Sequence, residues 1–260
     1  MRGNEHRRMV VQERERHAIR ELNEVMRVID RELFKIVAGF TSTTRANARL
    51  LALTRAGLLL RFFLGTTGAG QKALYASTLK GAQLVGVPLC APRRRKDEML
   101  VADFAVQHQL AANEIYCAVK YRPMNLSGCS FRRWVAFHKP PFQGLRLIPD
   151  GYAEWQTPSG VIGAFLEIDL GNEGRAVWKE KVKNYLQLAQ SGEFERRFSA
   201  NRFRVLVIAP SERRLRSIRT TIVSATQKFF WFASLDAIRA EGFFASVWLR
   251  PTGEERRPLL

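Results

Sequence analysis

Val161-Ile162-Gly163-Ala164-Phe165-Leu166-Glu167-Ile168-Asp169 reads as a strand that ends on two carboxylates. Branched and aromatic side chains suit a pleated backbone, and alternation along a strand sends Glu167 and Asp169 to the same face. Two more short runs precede it, 133–137 and 145–155, separated by turn formers, and Pro149-Asp150 lies within the second. A helix is expected over 175–190. A continuous apolar strand follows over 203–208 and stops at Pro210. Then come a basic helix through Arg213, Arg214, Arg216 and Arg219 and a strand over 229–233. Upstream, Leu100, Phe104, Leu110, Ile115 and Val119 recur at helical intervals and predict a long opening helix over 98–121. The order is helix, three strands, helix, strand, helix, strand.

That order resembles the restriction-endonuclease fold, whose usual signature is Pro-Asp followed by Asp/Glu-x-Lys. Pro149-Asp150 and Glu167-Ile168-Asp169 match it except at the last position. Carboxylates on adjacent strands suit a hard divalent ion, so Asp150, Glu167 and Asp169 are candidate ligands for magnesium. Such an ion would activate a water and neutralise charge on a scissile phosphate. Asp169 stands where the fold keeps its lysine. Lys181 in the next helix is the best candidate to position the water, with Lys179 second, and Glu114 on the opening helix is a further candidate ligand. The same acids could instead pair with Lys181 and Arg175 as a structural salt bridge. Both readings stay open at this point.

The first third of the chain has a different character. Ile19, Leu22, Val25, Met26 and Ile29 form one face of an amphipathic helix over 14–28. Asp30 can cap a second short helix that Gly39 ends, and Thr41, Ser42, Thr43 and Thr44 supply caps for a third. The buried side of that third helix is expected to be Ala48, Leu51, Leu53 and Leu58. Strand-like runs at 61–64 and 72–75 flank Gly65-Thr66-Thr67-Gly68-Ala69-Gly70, so the pair reads as a hairpin, and a helix near Leu79 closes the domain. This is the pattern of a winged helix-turn-helix.

No acid occurs between positions 41 and 61, whereas Arg45, Arg49, Arg55 and Arg61 do. A recognition helix places such arginines against phosphates or the guanine edge. Thr43, Thr44, Arg45, Asn47, Arg49, Arg61 and Lys72 are therefore the candidate contacts to double-stranded DNA. The net charge of +18 points the same way, because a field of that size attracts polyanions. Cys90, Cys117 and Cys129 lack zinc or disulfide spacing, and the four histidines form no helical metal pair. With no signal peptide and no long apolar run, membrane insertion is not expected and the cytoplasm is the expected compartment.

The expected architecture is α+β, with a winged helix-turn-helix over 1–88, a basic linker over 89–97 containing Arg93-Arg94-Arg95-Lys96, and a restriction-endonuclease-like α/β domain with a mixed sheet over 98–260. Further stretches carry a family resemblance. These are Thr78-Leu79-Lys80-Gly81, the run from His108 to Asn113, Trp134, Pro149-Asp150-Gly151-Tyr152, Phe165-Leu166-Glu167-Ile168-Asp169, Gly171, Glu173, Lys181, Tyr185 and Trp248. In their order and spacing the chain resembles the replication-relaxation family of bacterial plasmids and other mobile elements. The resemblance implies a part in replication, mobilisation or relaxation of a DNA element, beside other replication or mobilisation proteins. Leu170 and Asn172 stand where the family often has arginine and threonine. A magnesium-dependent nuclease or nickase, a non-catalytic replication factor, and a winged-helix transcription regulator that dimerises through its second domain are the three readings.

Overall fold

Asp30, Ser42 and Thr78 each accept a hydrogen bond from the backbone N–H three residues on, at 2.8, 3.3 and 3.1 Å, and each starts a helix. These caps organise the first of two compact units, Met1–Cys117 and Ala118–Leu260. The structure is a computed structural model that describes residues 9–64, 72–90, 92, 103–198, 200 and 202–260.

In the first unit, α1 (Glu13–Glu21) runs into a π-helical turn at Leu22–Met26, and Arg27 then takes a φ of 58°. The helix expected over 14–28 is thus cut short, and Ile29 belongs to a strand, β1 (Ile29–Asp30). The amide of Asn113 secures this break, donating to the carbonyls of Met26 and Val28 at 2.9 and 2.6 Å. Next come α2 (Arg31–Val37), α3 (Thr43–Arg55), β2 (Leu59–Leu64), β3 (Lys72–Ser77) and α4 (Leu79–Val85). Strands β2 and β3 pair antiparallel from Leu59↔Ser77 to Leu64↔Lys72, and β1 pairs with the other edge of β3. The expected hairpin tip at 65–70 and the basic run at 93–96 lie outside the described residues.

One face was misassigned from sequence. Ala46, Leu50 and Leu53 are the buried side of α3, while Ala48 and Leu51 are exposed. At about 100° per residue, positions 46, 50 and 53 share a stripe and 48 and 51 fall opposite it. Leu58 is buried, but past the end of the helix. A Cβ on Gly81 would lie 2.3 Å from the Leu58 carbonyl oxygen, so glycine is what lets α4 approach that turn.

Helix α5 (Asp103–Lys120) lies mainly in the first unit, tied there by Asn113 and by the Tyr116 hydroxyl, which donates to the buried Glu21. Its amphipathic pattern alone gave no means of choosing which neighbour it packs on.

The second unit is built on a seven-stranded mixed sheet. Its strands are β4 (Ser130–Val135), β5 (Gly151–Thr157), β6 (Gly160–Ile168), β7 (Phe203–Ala209), β8 (Phe230–Ser234), β9 (Trp248–Leu249) and β10 (Arg256–Arg257), in the order β10-β9-β8-β7-β6-β5-β4. The central pairs β6–β7 and β7–β8 are parallel; the outer pairs are antiparallel. The parallel pairs are joined through α6 (Arg175–Ser191) with α7 (Glu193–Arg197), and through α8 (Glu212–Val223); α9 (Leu235–Glu241) follows β8. A core of Tyr152, Phe165, Trp178, Tyr185, Phe203, Val205, Val207 and Phe230 fills one face of the sheet. The strand expected over 145–155 begins only at Gly151, so Pro149-Asp150 precedes it. Asp150 is nonetheless docked on the sheet, its N–H donating to the Leu166 carbonyl at 3.0 Å.

Candidate functional site

Two groups of predicted residues can be followed from sequence to geometry. The first is the cationic set on and around α3. Thr44, Arg45 and Asn47 are exposed at the N-terminal end of the helix, and Arg55 is exposed at its other end. Arg49 turns inward. Its guanidinium grips both oxygens of the fully buried Glu15, one at 2.7 Å, and also donates to the Val10 carbonyl at 2.9 Å. That contact raises the pKa of Arg49 further and commits its charge to the fold. Thr43 accepts from Lys35 at 3.0 Å, and Lys72 pairs with Asp30 at 2.6 Å. Arg61 is exposed on β2, its guanidinium 5.2 Å from the centre of the exposed Phe63 ring. The predicted contacts thus divide into an outward group (Thr44, Arg45, Asn47 and Arg61) and an internally bonded one.

The second group is the acidic set at the end of β6. Glu167 is fully buried: Tyr185 donates to one oxygen at 2.6 Å and Lys181 to the other at 2.7 Å. Lys181 also holds both oxygens of Glu173, at 2.7 and 2.8 Å, and its ammonium lies 5.0 Å from the Trp178 ring centre. Trp178, Lys181 and Tyr185 follow at three and four residues, which puts all three on one face of α6. Asp150 accepts a hydrogen bond from the Ile168 N–H at 2.7 Å.

Asp169 is also fully buried, but it answers to other partners. Trp178 donates to it at 2.8 Å, the Gly171 N–H at 2.5 Å, and Arg214 from two nitrogens at 3.1 and 2.6 Å. Strand alternation does bring Glu167 and Asp169 to the side covered by α6, yet each is captured by its own cation. Of the lysine and arginine expected to pair with them, Lys181 does so, and Arg214 from α8 takes the place proposed for Arg175. Glu114 lies on the part of α5 in the first unit.

Burial raises the pKa of Glu167, with Lys181 opposing the rise and Asp150 adding to it. Burial works against the charge of Lys181, but Glu167, Glu173 and Asp150 together outweigh it and raise its pKa. Asp169 goes the other way. Burial alone would raise it, but Arg214, the Trp178 indole and the Gly171 N–H hold it below its ordinary value.

Magnesium requires several carboxylate or carbonyl oxygens free to point at one centre. Here both oxygens of Glu167 and both of Asp169 accept hydrogen bonds, and an ammonium stands between Glu167 and Glu173. Among the described residues, no group of three or more His, Cys, Asp and Glu side chains is disposed to hold a metal. The arrangement does not fit the ion expected from Asp150, Glu167 and Asp169. Sequence reasoning passed over Arg214 and Glu173 as partners, because Arg214 meets Asp169 across 45 positions of chain.

These features define an α+β protein with a mixed seven-stranded sheet and a buried acid–base network under one end of it. The chain belongs to the replication-relaxation family, whose profile matches residues 26–201, about two-thirds of its length. Its role is accordingly one related to replication and relaxation. No curated protein and no solved structure matches the chain significantly. No helix among the described residues is long and apolar enough to cross a membrane.

Replacing Arg214 by Gln leaves Asp169 buried without its counter-charge, at a cost of about 3 kcal/mol at neutral pH. The sign of the pH effect follows from the lowered pKa of Asp169. The unfolded chain takes up that proton at a higher pH than the folded one, so native stability falls as pH drops through the ordinary value of 3.8 and below. Urea unfolding from pH 7 to pH 3 should show Arg214→Gln less stable at pH 7 and less sensitive to acid. Equal stability at pH 7 would mean that the pair does not hold the network.

Proposed function

We propose that this protein is a double-stranded-DNA-binding factor that serves replication or relaxation of a plasmid or other mobile element, with its first unit acting as a winged helix-turn-helix. The observation that carries this reading is the outward end of α3. Thr44, Arg45 and Asn47 are exposed there, and the sequence has no acid from 41 to 61 to neutralise them. The antiparallel β2–β3 pair that follows supplies the strands of a wing, with Arg61 exposed on β2. An exposed arginine and an exposed amide near a helix N-terminus can reach phosphate oxygens and base edges in a major groove.

In this reading the second unit is a restriction-endonuclease-like scaffold whose acids stabilise the fold and do not cut DNA. Lys181 and Arg214 neutralise the acidic residues from within. One observation favours a nuclease instead. The Lys181 amine lies 2.7 Å from Glu167, where a lysine displaced from the usual third position would be of use. That alternative requires Lys181 to leave Glu173 and Arg214 to release Asp169, so the non-catalytic reading stands first.

Fluorescence anisotropy with a duplex should show Arg45→Ala binding at least several-fold more weakly, with a salt slope shallower by about one ion. Wild-type affinity in that variant would place the contact surface elsewhere. Supercoiled plasmid incubated with the wild-type protein and magnesium should stay supercoiled. Nicking that Asp150→Ala abolishes would establish the nuclease.

A further inference from the structure

Three neighbouring strands of the large sheet bring Arg204, Trp231 and Arg250 together. Leu206 on β7 lies opposite Trp231 on β8, and alternation puts Arg204, two residues earlier, on the same face as the indole. Leu249 on β9 pairs with Phe232, so the next residue, Arg250, arrives beside Trp231 from the other side. The two guanidinium carbons lie 4.5 and 4.9 Å from the indole centre.

Trp231 is only 8% exposed, which leaves no open ring face for a stacked base. Its ring contacts both guanidiniums. Each contact is a cation–π attraction that partly offsets their mutual repulsion. Among the described residues neither arginine has a carboxylate partner. Arg204 donates to the Leu259 carbonyl, and Arg250 is exposed, its backbone carbonyl fixed by the Arg219 guanidinium at 3.1 Å. Burial and the charge of Arg250 both lower the pKa of Arg204, which is the signature of a charge without compensation.

We infer that Arg204 and Arg250, braced by Trp231, form a second phosphodiester-binding site that grips the DNA backbone independently of α3. A guanidinium presents paired N–H donors that match two oxygens of a phosphate, and an anion within reach of both guanidiniums relieves the repulsion between them. The site reads backbone and not sequence, since its aromatic ring is covered. The inference rests on the reading of the protein as a duplex-binding factor and extends that contact to the second unit.

The test uses the full chain and duplex DNA over a range of salt, with wild type, Arg45→Ala, Arg250→Gln and the double variant Arg204→Gln/Arg250→Gln. Arg250→Gln should weaken binding and make the salt slope shallower by about one ion, and the double variant by about two. Arg250→Gln replaces an exposed side chain, so it keeps the test meaningful if the double variant unfolds. Wild-type slopes in both variants, with Arg45→Ala impaired, would overturn the second site and leave the duplex-binding reading intact. If the wild type does not bind duplex, that reading falls and the second site falls with it. If inorganic phosphate binds in an Arg250-dependent way while the duplex slopes stay unchanged, the site is one for free phosphate and the inference is overturned.

Discussion

The end of β6 and the face of α6 that covers it are arranged around Glu167, a carboxylate with no exposure to water that keeps both its oxygens occupied by Tyr185 and Lys181. A buried charge is costly unless it is paired and hydrogen-bonded. This one is both, and the requirement propagates. Lys181 must sit on the face of α6 that meets β6, and Glu173 must reach back to share its ammonium. Asp169, two residues on, needs Arg214 from α8 for the same reason. The acids at the end of β6 thereby fasten both covering helices to the sheet.

The first unit obeys the same rule with different residues. Glu15 is buried and Arg49 answers it, so one cation of the arginine-rich helix is spent on fixing α1 against α3. The cations left over face outward. The 42 lysines and arginines are therefore not equally available to a partner. In each unit some are paired with buried acids, as Arg49, Lys181 and Arg214 are, whereas Arg45, Arg61 and Arg250 lie on the surface.

Local signals were legible in the sequence wherever a few adjacent residues decide the outcome. The caps at Asp30 and Ser42 and the helix end at Gly39, with its φ of +64°, follow from the side chains themselves. The extents of β6, β7 and α6 follow from composition and periodicity. Phase was harder. Leu51 is apolar yet outward, and only packing distinguishes it from Leu50. Strands β9 and β10, two residues each, carry too little pattern to be seen. The site was half legible: alternation gave the shared side of Glu167 and Asp169, and Lys181 in the next helix was the lysine expected beside them. The pairing of Asp169 with Arg214 depends on how α8 lies over the sheet, which no local pattern encodes.

The central claim is that ammonium and guanidinium groups of the chain itself occupy the place where a metal would sit among these acids. Calorimetric titration of the wild-type protein with magnesium measures this most directly. The account predicts no saturable binding at millimolar ion. Stoichiometric binding that Glu167→Gln abolishes would contradict it.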